Sequence, residues 1–305
     1  MSISTPEGDV RTDPTTGKPA ETAESSGRNG FLDVGARRAV RRRRLLVRAI
    51  QLGLFVAIFG GWQLSSSMGW IDSFFFGSPS GIVDQLTTWA QSGTDAGSLW
   101  EQIGVTLEEA VLGFVIGVLL GIVCGVALGR VRLLAEVFAP YIKAINAVPR
   151  IVLGSVFIVV LGFGLSSKVA LAIVLVFFVV FFNAFQGTRE VDRNLIANAR
   201  ILGASSAQVT WQVVLPSALT WIIASLHSSF GFALIGAIVG EFLGADKGLG
   251  LLVRQAQGNF NIDGVFAAMV IMAVLALVAE AAISRLERRL LAWRPPQLSD
   301  METAA

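Results

Sequence analysis

Charge is scarce in this chain. Only 15% of its 305 residues are Asp, Glu, Lys or Arg, against about 25% in an ordinary soluble domain, and the mean hydropathy is +0.66. Such a composition suits lipid rather than water. Cysteine is nearly missing too: Cys124 stands alone, which excludes a disulfide framework and a clustered-thiol metal site and leaves the redox compartment unreadable. His227 is the only histidine, so no HxxxH or HExxH pair exists to hold zinc, which needs three or four ligands. The phosphate-binding GxxxxGK[ST] loop, the GxSxG nucleophile elbow and a dinucleotide fingerprint in a strand-helix context are also lacking. No catalytic residue, metal or cofactor is therefore expected in this chain, and any ATP chemistry must belong to another protein.

Long apolar runs are what the sequence does have. A membrane-spanning helix needs about 20 such residues, and six stretches qualify: 46–66, 104–129, 133–163, 168–186, 217–243 and 265–284. The expected fold class is an all-α integral membrane protein. The third stretch carries Pro140 and Pro149 and is expected to be kinked or partly broken at one end. Residues 1–36 begin with a run rich in Ser, Thr, Gly, Pro and Glu and read as a disordered tail. They lack the layout of a cleavable leader. Residues 37–292 make the transmembrane domain, and 293–305 a second tail.

Positive charge orients the spans. The run RRAVRRRRLLVR at residues 37–48 directly precedes the first apolar stretch, and no Lys or Arg follows between Ala49 and Gly129. An arginine cluster so placed signals the cytoplasmic side of a membrane rather than a nucleic-acid arm. Counting on through Arg130, Lys168, Arg189, Lys247 and Arg285, the bias alternates at every crossing, which puts both termini in the cytoplasm.

The second stretch has a glycine at every fourth position, Gly113, Gly117, Gly121, Gly125 and Gly129. Each would cost about 1 kcal/mol relative to alanine in a helix in water. In lipid, where helices associate by close backbone contact, such a line reads as a packing face, with a sliding face as the alternative.

Ionisable residues inside these stretches are few. Glu108 and Glu109 stand near the start of the second, consistent with a helix start or with a substrate or proton site. Lys143 and Arg150 flank the prolines of the third, as functional groups or as positional ones. His227 suits interhelical hydrogen bonding or a polar pathway. Glu241 could cap its helix, pair with Lys247 or meet a docking protein. Pro149, His227 and Glu241 are the candidates for the solute pathway.

Between the fourth and fifth stretches, residues 190–216 form a segment too long for a plain connector. Leu195, Ala199 and Leu202 recur at helical spacing, Ala199, Gly203 and Ala207 form a small-residue line, and Leu215-Pro216 is expected to restart a helix. Such a helix fits a groove on a soluble partner, or lies on the lipid surface.

This segment resembles the cytoplasmic signature of the membrane subunits of bacterial binding-protein-dependent ABC importers, in their nitrate, sulfonate and taurine branch. That signature runs EAA, three residues, Gly, nine residues, Ile, one residue, Leu-Pro. Here Ala197-Asn198-Ala199, Gly203, Val213 and Leu215-Pro216 keep the whole spacing, with Ala197 in place of the usual Glu, Asn198 in place of Ala and Val213 in place of Ile. The similarity extends over roughly residues 70–295, through GSPSGIVDQL, AVPRIVLGSVFIVVLGFGLSSKVALA, NAFQGTREVDRNLIANARILGAS and GEFLGADKGLGLL. It implies a permease of the type I importer fold that dimerises in the bacterial plasma membrane. An extracytoplasmic binding protein would deliver a small anion or organic solute, and a separate ATPase dimer would bind ATP and Mg. Ala197, Asn198, Ala199, Arg200, Leu202, Gly203, Ala204, Leu215 and Pro216 would then belong to the segment that couples to the ATPase.

Overall fold

The computed structural model of the protein describes residues 24–290. The predicted 293–305 tail and the first 23 residues of the 1–36 tail lie outside them. Helix α1, Glu24–Ser67, begins within the stretch expected to be unstructured. The run that follows it, RRAVRRRRLLVR at residues 37–48, is rich in strong helix formers, and the helix extends back from that run. Residues up to Gly61 form one unit and residues from Trp62 another. Arg42–Ser67 is apolar enough to cross a membrane.

In the second unit, α4 (Leu99–Arg130), α7 (Leu165–Arg189) and α10 (Leu215–Leu243) form the core. Helix α7 packs along both of the others, which also touch each other, and its residues set the register of both. A Cβ built on Gly117, Gly121, Gly125 or Gly129 would fall 2.7–2.8 Å from the Cβ of Val176, Val180, Ala184 or Thr188, and one on Gly113 would collide with Ala172. The offset is a constant 59 residues, so α4 and α7 run in the same direction. On the opposite flank Gly236 meets Ala172, Gly240 meets Lys168 and Gly187 meets Trp221. As one number rises the other falls, so α10 runs antiparallel to α7. Ala172 is held between two glycines of two helices.

Parallel neighbours require the chain to cross back between them. That return is α5 (Arg132–Ala147), a 3₁₀ turn (Arg150–Val152) and α6 (Leu153–Leu161), bent by 75° at the break. Pro149 sits in the break, and Val148 before it is extended with ψ 129°, as a residue preceding proline must be. Pro140 lies inside α5 without ending it. Among the described residues five helices are long and apolar enough to span, six spans if the bent pair counts as one.

The remaining helices are short or peripheral: α2 (Ser73–Phe76), α3 (Pro79–Ser92), α8 (Arg193–Ile201), α9 (Ser206–Val209) and α11 (Leu249–Gly258), followed by the long α12 (Ile262–Leu290). The GSPSG stretch explains itself locally. Ser78 caps α3 by accepting from Gly81 N, Pro79 occupies the first turn, and the Asp263 carboxylate of α12 accepts from Ser78 N at 2.8 Å. A side chain at Gly81 would collide with that carboxylate.

Candidate functional site

The direction of α4, α7 and α10 gives the bundle two ends. At one, α4 and α7 finish and α10 begins; at the other, α4 and α7 start and α10 finishes.

The first end carries an elbow built by local rules. Asp192 caps α8 by accepting from Asn194 N at 2.8 Å. The helix closes with Gly203 at φ +83°, Gly203 N bonding to Arg200 O and Ala204 N to Ala199 O, each at 3.0 Å. This Schellman closure needs a left-handed residue, which explains the glycine of the signature. Two residues on, Ser205 and Gln208 form a reciprocal capping box that starts α9. Across the bundle, Arg130 at the end of α4 donates to Ser206 O at 3.2 Å.

The expected apolar face of the elbow is divided. Ile196, Ala199 and Ala204 pack inward on Val191, Val209 and Val214, while Leu195, Ile201 and Leu202 face outward, the last two 82% and 87% exposed. Ala197, Asn198 and Arg200 are exposed beside them. Leu215 opens α10 with Pro216 in its first turn, as expected, but no break in helical structure precedes it. The chain runs helical from Ser206 to Leu243, and a π-turn at Thr210–Val214 precedes the proline, with Leu215 N bonding to Thr210 O. Pro216 has no N–H for the ordinary ladder, and the wider turn absorbs the mismatch. An apolar groove of about 530 Å³ between the end of α4 and this turn is lined by Val126, Arg130, Ala207, Thr210 and Trp211.

The opposite end is held by long-range side-chain bonds. Gln102, Thr106, Glu109, Lys168 and Glu241 are all buried, none more than 3% exposed. Glu241 accepts from Thr106 Oγ1 and from Gly250 N, both at 2.6 Å. Thr106 Oγ1 in turn accepts from Leu249 N at 2.8 Å, and Gln102 Oε1 from Gly248 N at 2.7 Å. Three successive backbone N–H groups at the start of α11 are thus satisfied by side chains of α4 and α10. Leaving any one unmet would cost about 1–3 kcal/mol. Lys168 donates to Phe163 O, and its stem lies across Gly240. Glu241 therefore neither pairs with Lys247 nor faces an open path: Lys247 binds Glu101 at 2.6 Å instead. Lys168 is buried rather than a loop charge.

One sequence signal pointed here and was missed. The four-residue line of glycines, extended one step back, lands on Glu109, and the same 59-residue offset assigns it Lys168. Asp263 also escaped notice, having no local pattern to mark it.

His227 joins α10 to α12. Its Nδ1 lies 2.6 Å from Glu280 Oε1 and its Nε2 2.9 Å from Glu287 Oε2. Carboxylates only accept, so the two bonds coexist when both ring nitrogens carry protons. Arg150 stacks on the Phe178 ring at 4.5 Å, and Lys143 is exposed. Pro149, His227 and Glu241 thus belong to three separate clusters, which the structure does not bring together. Among the described residues no group of three or more His, Cys, Asp or Glu side chains could hold a metal ion.

The profile of the binding-protein-dependent transport system inner membrane component family matches residues 117–292, from the glycine ridge through the elbow to the end of α12. The chain belongs to this family. An aliphatic sulfonates transport permease protein of Escherichia coli, SsuC, is 32% identical over 253 residues, covering 83% of this chain and 95% of that one. The taurine transport system permease protein TauC of Escherichia coli is 29% identical, covering 80% and 89%. The riboflavin transport system permease protein RibX of Chloroflexus aurantiacus is 32% identical, covering 76% and 85%. An inward-facing structure of the MetNI methionine ABC transporter shares the fold, at a TM-score of 0.52 and 22% identity, over 63% of this chain and 93% of that one. The permease is accordingly a multi-pass membrane subunit of an ABC importer and works with a separate ATPase and a binding protein.

Proposed function

We propose that two copies of this permease form the membrane pore of an importer for a small organic anion of the sulfonate and taurine class, and that the α8–α9 elbow receives the ATPase. The observation that carries the coupling role is the pair Ile201 and Leu202, large apolar side chains more than 80% exposed on a short helix. Both ends of that helix are fixed by caps, so it moves as one piece. On this reading ATP and Mg sit in the ATPase dimer, the elbows are cytoplasmic together with both termini, and the α11 end faces the binding protein. Closure of the ATPase pushes on the elbow, and the push travels into the spans through the continuous Ser206–Leu243 helix. The close packing of the α4 glycines on Val176, Val180, Ala184 and Thr188 of α7 keeps those two helices moving together. The substrate class rests on similarity to SsuC and TauC.

The test is reconstitution with a sulfonate-class binding protein and the cognate ATPase, followed by uptake of labelled taurine, an alkanesulfonate, nitrate and riboflavin. Saturable uptake of a sulfonate that the others fail to displace supports the reading. Uptake of riboflavin alone would reassign the solute.

A further inference from the structure

We propose that the buried carboxyls of Glu109 and Glu241 hold a single proton between them, carried on Glu109, and that this proton keeps the start of α11 tied to α4 and α10. The inference concerns this chain's own residues and is independent of which solute it moves.

Two acidic side chains meet here in a place closed to water. Glu109 is 2% and Glu241 0% exposed, and Glu109 stands about one helical turn along α4 from Thr106, whose hydroxyl bonds Glu241. Their surroundings differ in kind. Glu241 has a donor on each oxygen, Thr106 Oγ1 on one and Gly250 N on the other, which is how a carboxylate is stabilised. Glu109 Oε2 is buried with no hydrogen-bond partner. An ionised carboxylate left so would be among the most unfavourable groups a protein can bury, while a carboxylic acid in that place buries no charge.

The charge count agrees. From α7 the cluster receives Lys168, 3% exposed, whose charge acts on both carboxyls. One ammonium balances one carboxylate, and two adjacent carboxylates would leave a buried negative charge. With one proton added the set is neutral. The other ionisable groups nearby stay on the surface or turn away: Glu108, next to Glu109 on α4, adds a further negative charge from an exposed position, Glu101 and Lys247 pair with each other on the surface, Asp246 is exposed, and Arg254 of α11 is turned to Ala245 O. The proton's consequence is structural. Glu241 Oε2 holds Gly250 N, and a side chain at Gly248 would collide with the same carboxyl. Forcing Glu109 to ionise would drive the two carboxyls apart and pull Glu241 from the start of α11.

Infrared spectra of the purified permease in lipid nanodiscs, taken in H₂O and in D₂O at neutral pH, read protonated carboxyls directly. The expected result is a carboxylic-acid carbonyl band that shifts on deuteration in the wild type and in Glu108→Gln. It should be lost in Glu109→Gln, where Glu241 keeps its two donors as a carboxylate. Lys168→Met should raise the band about twofold, since both acids then stay neutral. A wild type without the band overturns the proposal, and so does a band that persists unchanged in Glu109→Gln. Glu109→Gln preserves the shape of the acid and is expected to fold, which keeps the test decisive even where the Lys168 variant is not recovered.

Discussion

The two ends of this bundle are fastened in opposite ways. At the elbow the bonds that shape the chain are mostly local, Asp192 to Asn194, Ala204 to Ala199 and Ser205 to Gln208, with Arg130 reaching Ser206 O from across the bundle. At the α11 end the bonds join residues far apart in sequence, Thr106 to Glu241 and Gln102 to Gly248, and they are buried. A locally fastened piece keeps its shape while it moves against the rest of the molecule, whereas a knot across α4, α7, α10 and α11 fixes those elements to each other. On the proposed reading the elbow is a lever and the other end an anchor, with the glycine ridge between them.

The comparison can be broken first at the ridge. A side chain at Gly125 would begin 2.7 Å from both Ala184 Cβ and Phe181 O. Overpacking ordinarily costs about 1–3 kcal/mol, and backbone cannot yield as a side-chain tip can. Gly125→Leu should therefore leave little folded protein in the membrane, as measured by detergent-extracted monodisperse yield, whereas Gly104→Leu, facing open space, should not. At the elbow, Leu202→Asp should lower uptake by on the order of tenfold or more, as loss of an interface anchor does, with an unchanged thermal midpoint. Gly203→Val meets no neighbour within 4 Å but must adopt φ +83°. That costs about 1–2 kcal/mol, a modest fall in midpoint confined to α8 by hydrogen exchange. Smallest of all is Lys247→Ala. Glu101 holds this ammonium above the ordinary lysine range, so the surface pair persists through neutral pH and is lost only as pH rises past that range. Its removal should leave the midpoint and its neutral-pH behaviour unchanged.

Much of this architecture was legible because its causes are local or periodic. The spans follow from apolar length, and the short helix of the elbow from the spacing of Leu195, Ala199, Leu202 and Gly203, while its caps at Asp192 and Ser205 went unread. The glycine line could be read as a packing face. Its partner could not, since Val176, Val180 and Ala184 carry no mark in an apolar helix that would single them out. The polar knot was missed for a physical reason: Glu109 looks like a helix-start residue and Lys168 like a loop charge until the register between α4 and α7 places them together. The π-turn before Pro216 and the grip of Asp263 on the start of α3 likewise depend on neighbours that sequence spacing does not name.

The account's central claim is that the elbow transmits the ATPase's work. It is tested most directly by assembling the permease with its ATPase and binding protein, and comparing solute-stimulated ATP turnover in the wild type and in Leu202→Asp. The account predicts stoichiometric assembly and stimulated turnover for the wild type, and a variant that stays folded in the membrane but whose turnover no longer responds to loaded binding protein. Full stimulation in Leu202→Asp would contradict it.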